Sequence, residues 1–182
     1  WCYINLGRLN ELAKAFTIEL DIRSFILKPD IPKEGRIKPS GPNQLPATLI
    51  QAAEELGLKM KSPHFIPYTI SALELTELSK QYGLAETFQL AMYSAYWDNQ
   101  EDIGNATVLE RIALNIGLPR LSVRQTIKNH SFLPKVIEQH YQAEVLGFKG
   151  IPAILIGKTR FVGAVDTLRL QEAVKNELHR IT

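Results

Sequence analysis

The spacing of apolar residues changes along this chain, and each change predicts a different element. Near the N-terminus Ile4, Leu9 and Leu12 recur at helical spacing, which predicts an amphipathic helix over residues 3–15. Residues 17–25 then alternate between apolar and charged side chains. This period of two is typical of a half-buried strand.

The middle of the chain is predicted to be helical. Residues 28–46 hold five of the ten prolines and predict an extended connection. Beyond it the apolar residues keep a helical period, and Asn105 or Thr107 is positioned to cap one of the helices. The predicted helices cover residues 49–56, 69–78, 84–97, 108–115, 122–129 and 133–145.

Aromatic residues concentrate on the third of these helices, which carries Phe88, Tyr93, Tyr96 and Trp97 together with Met92. An aromatic stripe at helical spacing indicates core packing for Phe88 and Met92. A substrate groove formed by Tyr96 and Trp97 stays open as an alternative at this stage.

A hairpin is predicted near the C-terminus, followed by a last helix. Two short apolar runs, 153–156 and 160–162, are joined by a turn at Gly157. Pro152 stands directly before the first run and cannot donate to a ladder, so it is an edge or loop residue. The Gly-x-Pro pattern is compatible with a cis Ile151–Pro152 bond, although the pattern alone favours a trans proline, and the cis bond is predicted from the family resemblance given below. The helix after Gly163 has Asp166 or Thr167 as its cap.

Composition narrows the classes of function. The 182 residues suit one domain with a sizeable insertion, and 21 basic against 19 acidic residues, scattered along the chain, predict no nucleic acid or membrane partner. No apolar run approaches the length of a membrane helix. Cys2 is the single cysteine and the four histidines lack ligand spacing, so no disulfide within the chain and no metal site are predicted.

Four segments, taken in order, resemble one known family. Trp1-Cys2-Tyr3-Ile4 is similar to the second half of a C-P-W-C-Y motif, and residues 24–35 to the segment after the second strand. Gly150-Ile151-Pro152 is similar to a cis-proline loop and Gly163-Ala164 to the entry into the final helix. The chain thus resembles the DsbA-like branch of the thioredoxin superfamily, in particular the FrnE-like group related to 2-hydroxychromene-2-carboxylate isomerases and kappa-class glutathione transferases.

The resemblance implies an α/β, thioredoxin-like fold with a large all-helical insertion. Residues 1–46 and 146–182 would form the thioredoxin-like domain and residues 47–145 the inserted helical domain. The first cysteine of the motif would lie ahead of Trp1. Because strand 17–25 and the hairpin strand 153–156 need a partner between them, we also expect a strand ending in Cys-Pro upstream.

The resemblance further implies a thiol-disulfide oxidoreductase. Cys2 would be the catalytic residue, as the second, resolving cysteine that attacks a mixed disulfide and releases the substrate. Trp1, Ile151 and Pro152 would bind the substrate. The structural alternative is that Cys2 acts only as a small apolar residue.

Two other functions stay open. One is a glutathione-dependent isomerase or transferase of the same fold, with serine in place of the first cysteine and the thiol supplied by glutathione. Against it, the residues Ala164-Val165-Asp166 replace the G-x-D-R expected for glutathione capture. The other is a redox-inactive module that holds peptides beside Pro152. The residue three positions before Cys2 would separate all three functions.

Cofactors, partners and location follow from the resemblance alone. No cofactor is expected, apart from glutathione under the isomerase alternative. The expected partners are protein or small-molecule disulfides, with a homodimer left open. A FrnE-like protein would be cytoplasmic, whereas a DsbA-like one would carry an export signal upstream.

Overall fold

The structure, a computed structural model, describes residues 1–39 and 44–181 and is mainly helical. Its elements are α1 (Cys2–Phe16), β1 (Arg36–Ile37), α2 (Ala47–Glu55), β2 (Phe65–Ile66), α3 (Ile70–Lys80), α4 (Ala85–Trp97), α5 (Ala106–Asn115), α6 (Arg120–Asn129), α7 (Leu133–Val145), β3 (Ala153–Ile156), β4 (Thr159–Val162) and α8 (Thr167–Ile181). In this described part, no helix has the length and apolar character that crossing a membrane requires.

The predicted helices and the hairpin are confirmed. Asn105 is the cap of α5, because its Oδ1 accepts hydrogen bonds from Thr107 N at 2.9 Å and from Val108 N at 3.3 Å. Strands β3 and β4 pair antiparallel, with Ile154 opposite Phe161. The sequence did not reveal the ladder between β1 and β2, since two residues per strand are too few to show a period.

The strand predicted over residues 17–25 is wrong. Exposure does alternate along this segment, but the segment forms no ladder. Its backbone amides are satisfied elsewhere: Ile18 N donates to the carbonyl of Ala13 at the end of α1, and Ser24 N donates to Oε1 of Gln139 at 2.6 Å. Among the described residues, this segment and β3 do not pair with each other. The strand expected ahead of Trp1 stays a prediction.

The described residues fall into two compact units. One contains residues 1–21 and the chain from residue 143 onward, and the other contains residues 22–142. The boundaries between these units lie at 21/22 and 142/143, whereas the boundaries of the predicted domains lie at 46/47 and 145/146. Of the connection predicted over residues 28–46, the positions 40–43 lie outside the described residues.

The first unit is built on the hairpin of β3 and β4. Leu12 of α1, Phe161 of β4 and Leu170 of α8 are buried together in one apolar cluster, against which Ile154 of β3 packs. Because Ile154 and Phe161 are ladder partners, they present one face of the hairpin to both helices. The cluster therefore fixes α1 and α8 against the hairpin.

The second unit has a core shared by four helices. Leu75 of α3, Phe88 of α4, Leu109 of α5 and Val123 of α6 are each completely buried in it. One fully buried residue from each helix means that the core ties all four together. Such packing supplies most of the stability of a helical unit.

A buried carboxylate connects three parts of the second unit. Glu77 of α3 is 5% exposed and accepts hydrogen bonds from Ser24 Oγ at 2.9 Å and from Gln139 Nε2 at 2.9 Å. Lys80, one turn further along α3, donates to it at 2.8 Å. A buried charge is tolerated only when it is paired and hydrogen bonded, as it is here.

Candidate active site

The predicted catalytic cysteine begins the first helix. Trp1 is the N-cap of α1 and Cys2 its first residue, and both side chains are half-buried. The amide groups of a first helical turn have no partner within the helix and form the positive end of its dipole. The first turn of α1 holds no acidic side chain that would neutralise this charge.

The predicted substrate-binding residues precede β3. Ile151 is 37% exposed, Pro152 is half-buried, and the peptide bond between them, predicted to be cis, is cis in the structure. The carbonyl oxygen of Pro152 accepts a hydrogen bond from Gly163 N at 2.8 Å. This bond closes the open end of the hairpin, where Gly163 has a φ of +83° that favours glycine.

The structure connects these two parts of the site through Gly163. Nδ2 of Asn5, one turn after Cys2, donates to the carbonyl oxygen of Gly163 at 3.0 Å. The same glycine holds Pro152 through its amide, so a single residue is bonded to both sides. Arg8 adds a second hydrogen bond between α1 and the segment that joins β4 to α8, from its Nη1 to the carbonyl oxygen of Val165 at 2.7 Å.

Asn5 and Arg8 were not identified as site residues from the sequence. A signal was present, because Asn5 lies on the same helical stripe as Leu9, Leu12 and Phe16, where an apolar residue is expected. A polar residue in such a stripe indicates a specific partner. The partner itself lies 158 positions away and could not be read from the pattern.

The aromatic helix is mainly core. Phe88 and Met92 are buried in the second unit, which confirms the core interpretation for both. Burial raises the pKa of Tyr96 to about 12, so its hydroxyl keeps its proton and donates to the carbonyl oxygen of Phe65 at 2.9 Å. Trp97 packs edge to face on Tyr96 with ring centroids 5.1 Å apart. The tyrosine hydroxyl is thus used within the fold.

Two histidines make hydrogen bonds inside the second unit. Nδ1 of His130 lies 2.7 Å from Oε2 of Glu74, a completely buried carboxylate, and Nδ1 of His140 accepts from Ile26 N at 3.4 Å. Across residues 1–39 and 44–181, no three or more His, Cys, Asp and Glu side chains are grouped so that they could hold a metal ion.

Known proteins are similar to this chain in sequence and in fold. A protein of Bacillus subtilis called YwbO, uncharacterized, is 23% identical over 97% of this chain and 91% of its own length. A probable DsbA oxidoreductase from Streptomyces coelicolor superposes with a TM-score of 0.85 at 21% identity, over 100% of this chain and 86% of its own. A 2-hydroxychromene-2-carboxylate isomerase superposes with a TM-score of 0.76 at 16% identity, over 99% and 89% of the two chains.

The family assignment rests on nearly the whole chain. The sequence model of the DSBA-like thioredoxin domain matches residues 1–175, and the structural matches extend over both compact units. The predicted thioredoxin-like fold with a helical insertion is confirmed by these matches and by the element order. The chain belongs to the DSBA-like thioredoxin domain family.

Proposed function

We propose that this protein is a thiol-disulfide oxidoreductase in which Cys2 is the resolving thiol. The observation that carries the proposal is the hydrogen-bonded connection that joins the Cys2 end of α1, through Asn5 and Gly163, to the loop at Pro152. In the C-P-W-C pattern the first cysteine would lie at the helix start, which stabilises its thiolate, and Cys2 would lie one turn further in as the more shielded resolving thiol. Membership of a family whose members include oxidoreductases is consistent with this chemistry.

The proposed step is an exchange of one disulfide for another. A cysteine three positions before Cys2, proposed from the C-P-W-C pattern, first holds the substrate as a mixed disulfide. The Cys2 thiolate attacks the sulfur of that cysteine, so that a bond between the two protein sulfurs forms and the bond to the substrate breaks. The substrate leaves as a thiolate and takes a proton from water. The protein dithiol is thereby oxidised and the substrate disulfide reduced, and the reverse sequence oxidises a substrate dithiol.

Trp1, Ile151 and Pro152 are the proposed substrate contacts. The exposed Ile151 and the backbone around it can pair with an extended peptide, which gives affinity with little demand on the peptide's sequence. The proposed partners are therefore disulfides in peptides, proteins or small molecules. The reaction needs no cofactor beyond the thiols themselves.

Replacing Cys2 by serine tests the proposal. In the protein as its gene encodes it, Cys2→Ser should lower turnover of a peptide disulfide by about a hundredfold or more, because the mixed disulfide can no longer be resolved within the protein. Release of the reduced peptide, from a substrate with one internal disulfide, is measured in a single turnover with pre-reduced protein and no added thiol, because glutathione would itself attack the mixed disulfide. Asn99→Ser is the control for the effects of making and purifying a variant, because Asn99 is remote from Cys2 in sequence. Its turnover should match that of the parent.

An unchanged turnover in Cys2→Ser would refute the role of Cys2. If Cys2→Ser also retained glutathione-dependent isomerase activity on a hydroxychromene carboxylate, the isomerase alternative would replace the oxidoreductase. Binding of the peptide without any turnover, in parent and variant alike, would instead support a redox-inactive module.

A further inference from the structure

Asn5 is a polar side chain in the buried stripe of α1. We propose that Asn5 is a positioning residue that fixes the Cys2 end of α1 relative to the Pro152 loop, so that a peptide held by the loop meets the reacting sulfurs. This inference rests on the proposed function of Cys2 and Pro152. It assigns a role to a residue that touches neither substrate nor sulfur in the proposed step.

The burial of Asn5 is costly unless the amide has a specific use. Its side chain is 2% exposed, and its Oδ1 has no hydrogen-bond partner among the described residues. Leaving a buried acceptor unsatisfied costs about 1–3 kcal/mol, so a leucine, as at Leu9 and Leu12 on the same stripe, would serve stability better. The hydrogen bond from Asn5 Nδ2 to Gly163 gives a reason for an asparagine at this buried position.

That bond belongs to a short series connecting the two parts of the site. The backbone N of Asn5 donates to the carbonyl oxygen of Trp1 at 2.8 Å, as a hydrogen bond in the first turn of α1. The side-chain Nδ2 of Asn5 donates to the carbonyl oxygen of Gly163 at 3.0 Å. Gly163 N then donates to the carbonyl of Pro152 at 2.8 Å. Three consecutive bonds therefore join the residue before Cys2 to the proline of the loop.

The position of α1 against the loop matters only for a substrate that uses both. A peptide disulfide contacts the loop with its backbone and the sulfurs with its disulfide, so a misplaced loop lowers its rate. A small aromatic disulfide reacts at the sulfurs without needing the loop. A loss confined to peptide substrates is therefore the signature of a positioning role, which a general loss of stability would not produce.

The experiment compares Asn5→Ala with Asn10→Ala. Asn10 is a matched control, since it lies on the same helix, is 9% exposed and also has an unpartnered Oδ1. We expect Asn5→Ala to lower kcat/KM for an extended peptide disulfide about tenfold, the size of one lost buried hydrogen bond, and to leave the rate with dipyridyl disulfide within about twofold. Asn10→Ala should stay within about twofold of the parent on both substrates.

A second variant perturbs the same connection from the loop. In Gly163→Ala the new Cβ meets no atom within 4 Å, so the change acts through the backbone, whose φ of +83° disfavours alanine. It should reproduce the selective loss on the peptide. Thermal unfolding of each variant shows whether the comparison is made on folded protein.

The outcomes separate the two proposals. If Cys2→Ser stops peptide turnover while Asn5→Ala and Asn10→Ala behave alike, the role of Asn5 is refuted and that of Cys2 stands. Equal losses on the peptide and on dipyridyl disulfide in Asn5→Ala would also refute positioning. If Cys2→Ser leaves turnover unchanged, the proposed function itself fails.

Discussion

Replacing Phe88 by alanine should lower the free energy of unfolding by about 3–5 kcal/mol. Phe88 is completely buried at the centre of the second unit, among Leu75, Leu109 and Val123. The substitution removes a whole aromatic ring and leaves a cavity that helices on several sides cannot all close. The loss should appear as a lower urea concentration at the midpoint of unfolding, measured by circular dichroism. The dependence of the free energy of unfolding on urea concentration should change little.

Leu121→Ala is the matched control for Phe88→Ala. Leu121 is an apolar residue of α6 in the same unit, but its side chain is 69% exposed. Its truncation should change the free energy of unfolding by no more than about 0.5 kcal/mol. Equal effects of the two substitutions would show that the packing around Phe88 does not determine stability.

Glu77→Ala should also cost about 3–5 kcal/mol. The substitution leaves the ammonium of Lys80, 25% exposed, without its counter-charge and deprives Ser24 and Gln139 of their acceptor. Removing one member of such a network costs more than the network contributes as a whole, because Ser24 and Gln139 stay buried with unsatisfied donors. Urea unfolding at neutral pH measures the loss.

Glu77→Gln separates the geometry of this network from its charge. Glutamine keeps one oxygen acceptor and nearly the same volume, so its cost should be clearly smaller than that of alanine. Equal costs for Glu77→Gln and Glu77→Ala would mean that the ion pair with Lys80 dominates and that the bonds to Ser24 and Gln139 contribute little. A cost below about 1 kcal/mol in Glu77→Ala would contradict the account of this network.

The helices could be predicted from sequence because their apolar residues recur at helical spacing. Leu133–Val145 has the predicted bounds, and the other helices differ by a few residues at their ends. The segment over residues 17–25 shows where this reasoning stops. A period of two reports which side chains are covered, and exposure does alternate there, but a ladder needs a neighbouring strand. The amide of Ser24 finds a glutamine side chain instead.

The predicted site residues came from a resemblance and not from periodicity. Cys2 and Pro152 carry motifs short enough to read along the chain. The bond from Asn5 to Gly163 joins residues 158 positions apart, and the buried amide bears no motif of its own. Contacts of this kind depend on how α1 packs against the hairpin, which only the folded structure supplies.

The lifetime of the mixed disulfide is the most direct test of the central claim, that Cys2 resolves it. The protein as its gene encodes it is mixed with a peptide disulfide and quenched with acid at intervals, and the adduct is quantified on non-reducing gels. We predict that the parent shows little adduct at any time, whereas Cys2→Ser accumulates it to nearly one peptide per protein and releases it on adding a reductant. Equal adduct in parent and Cys2→Ser would contradict the account.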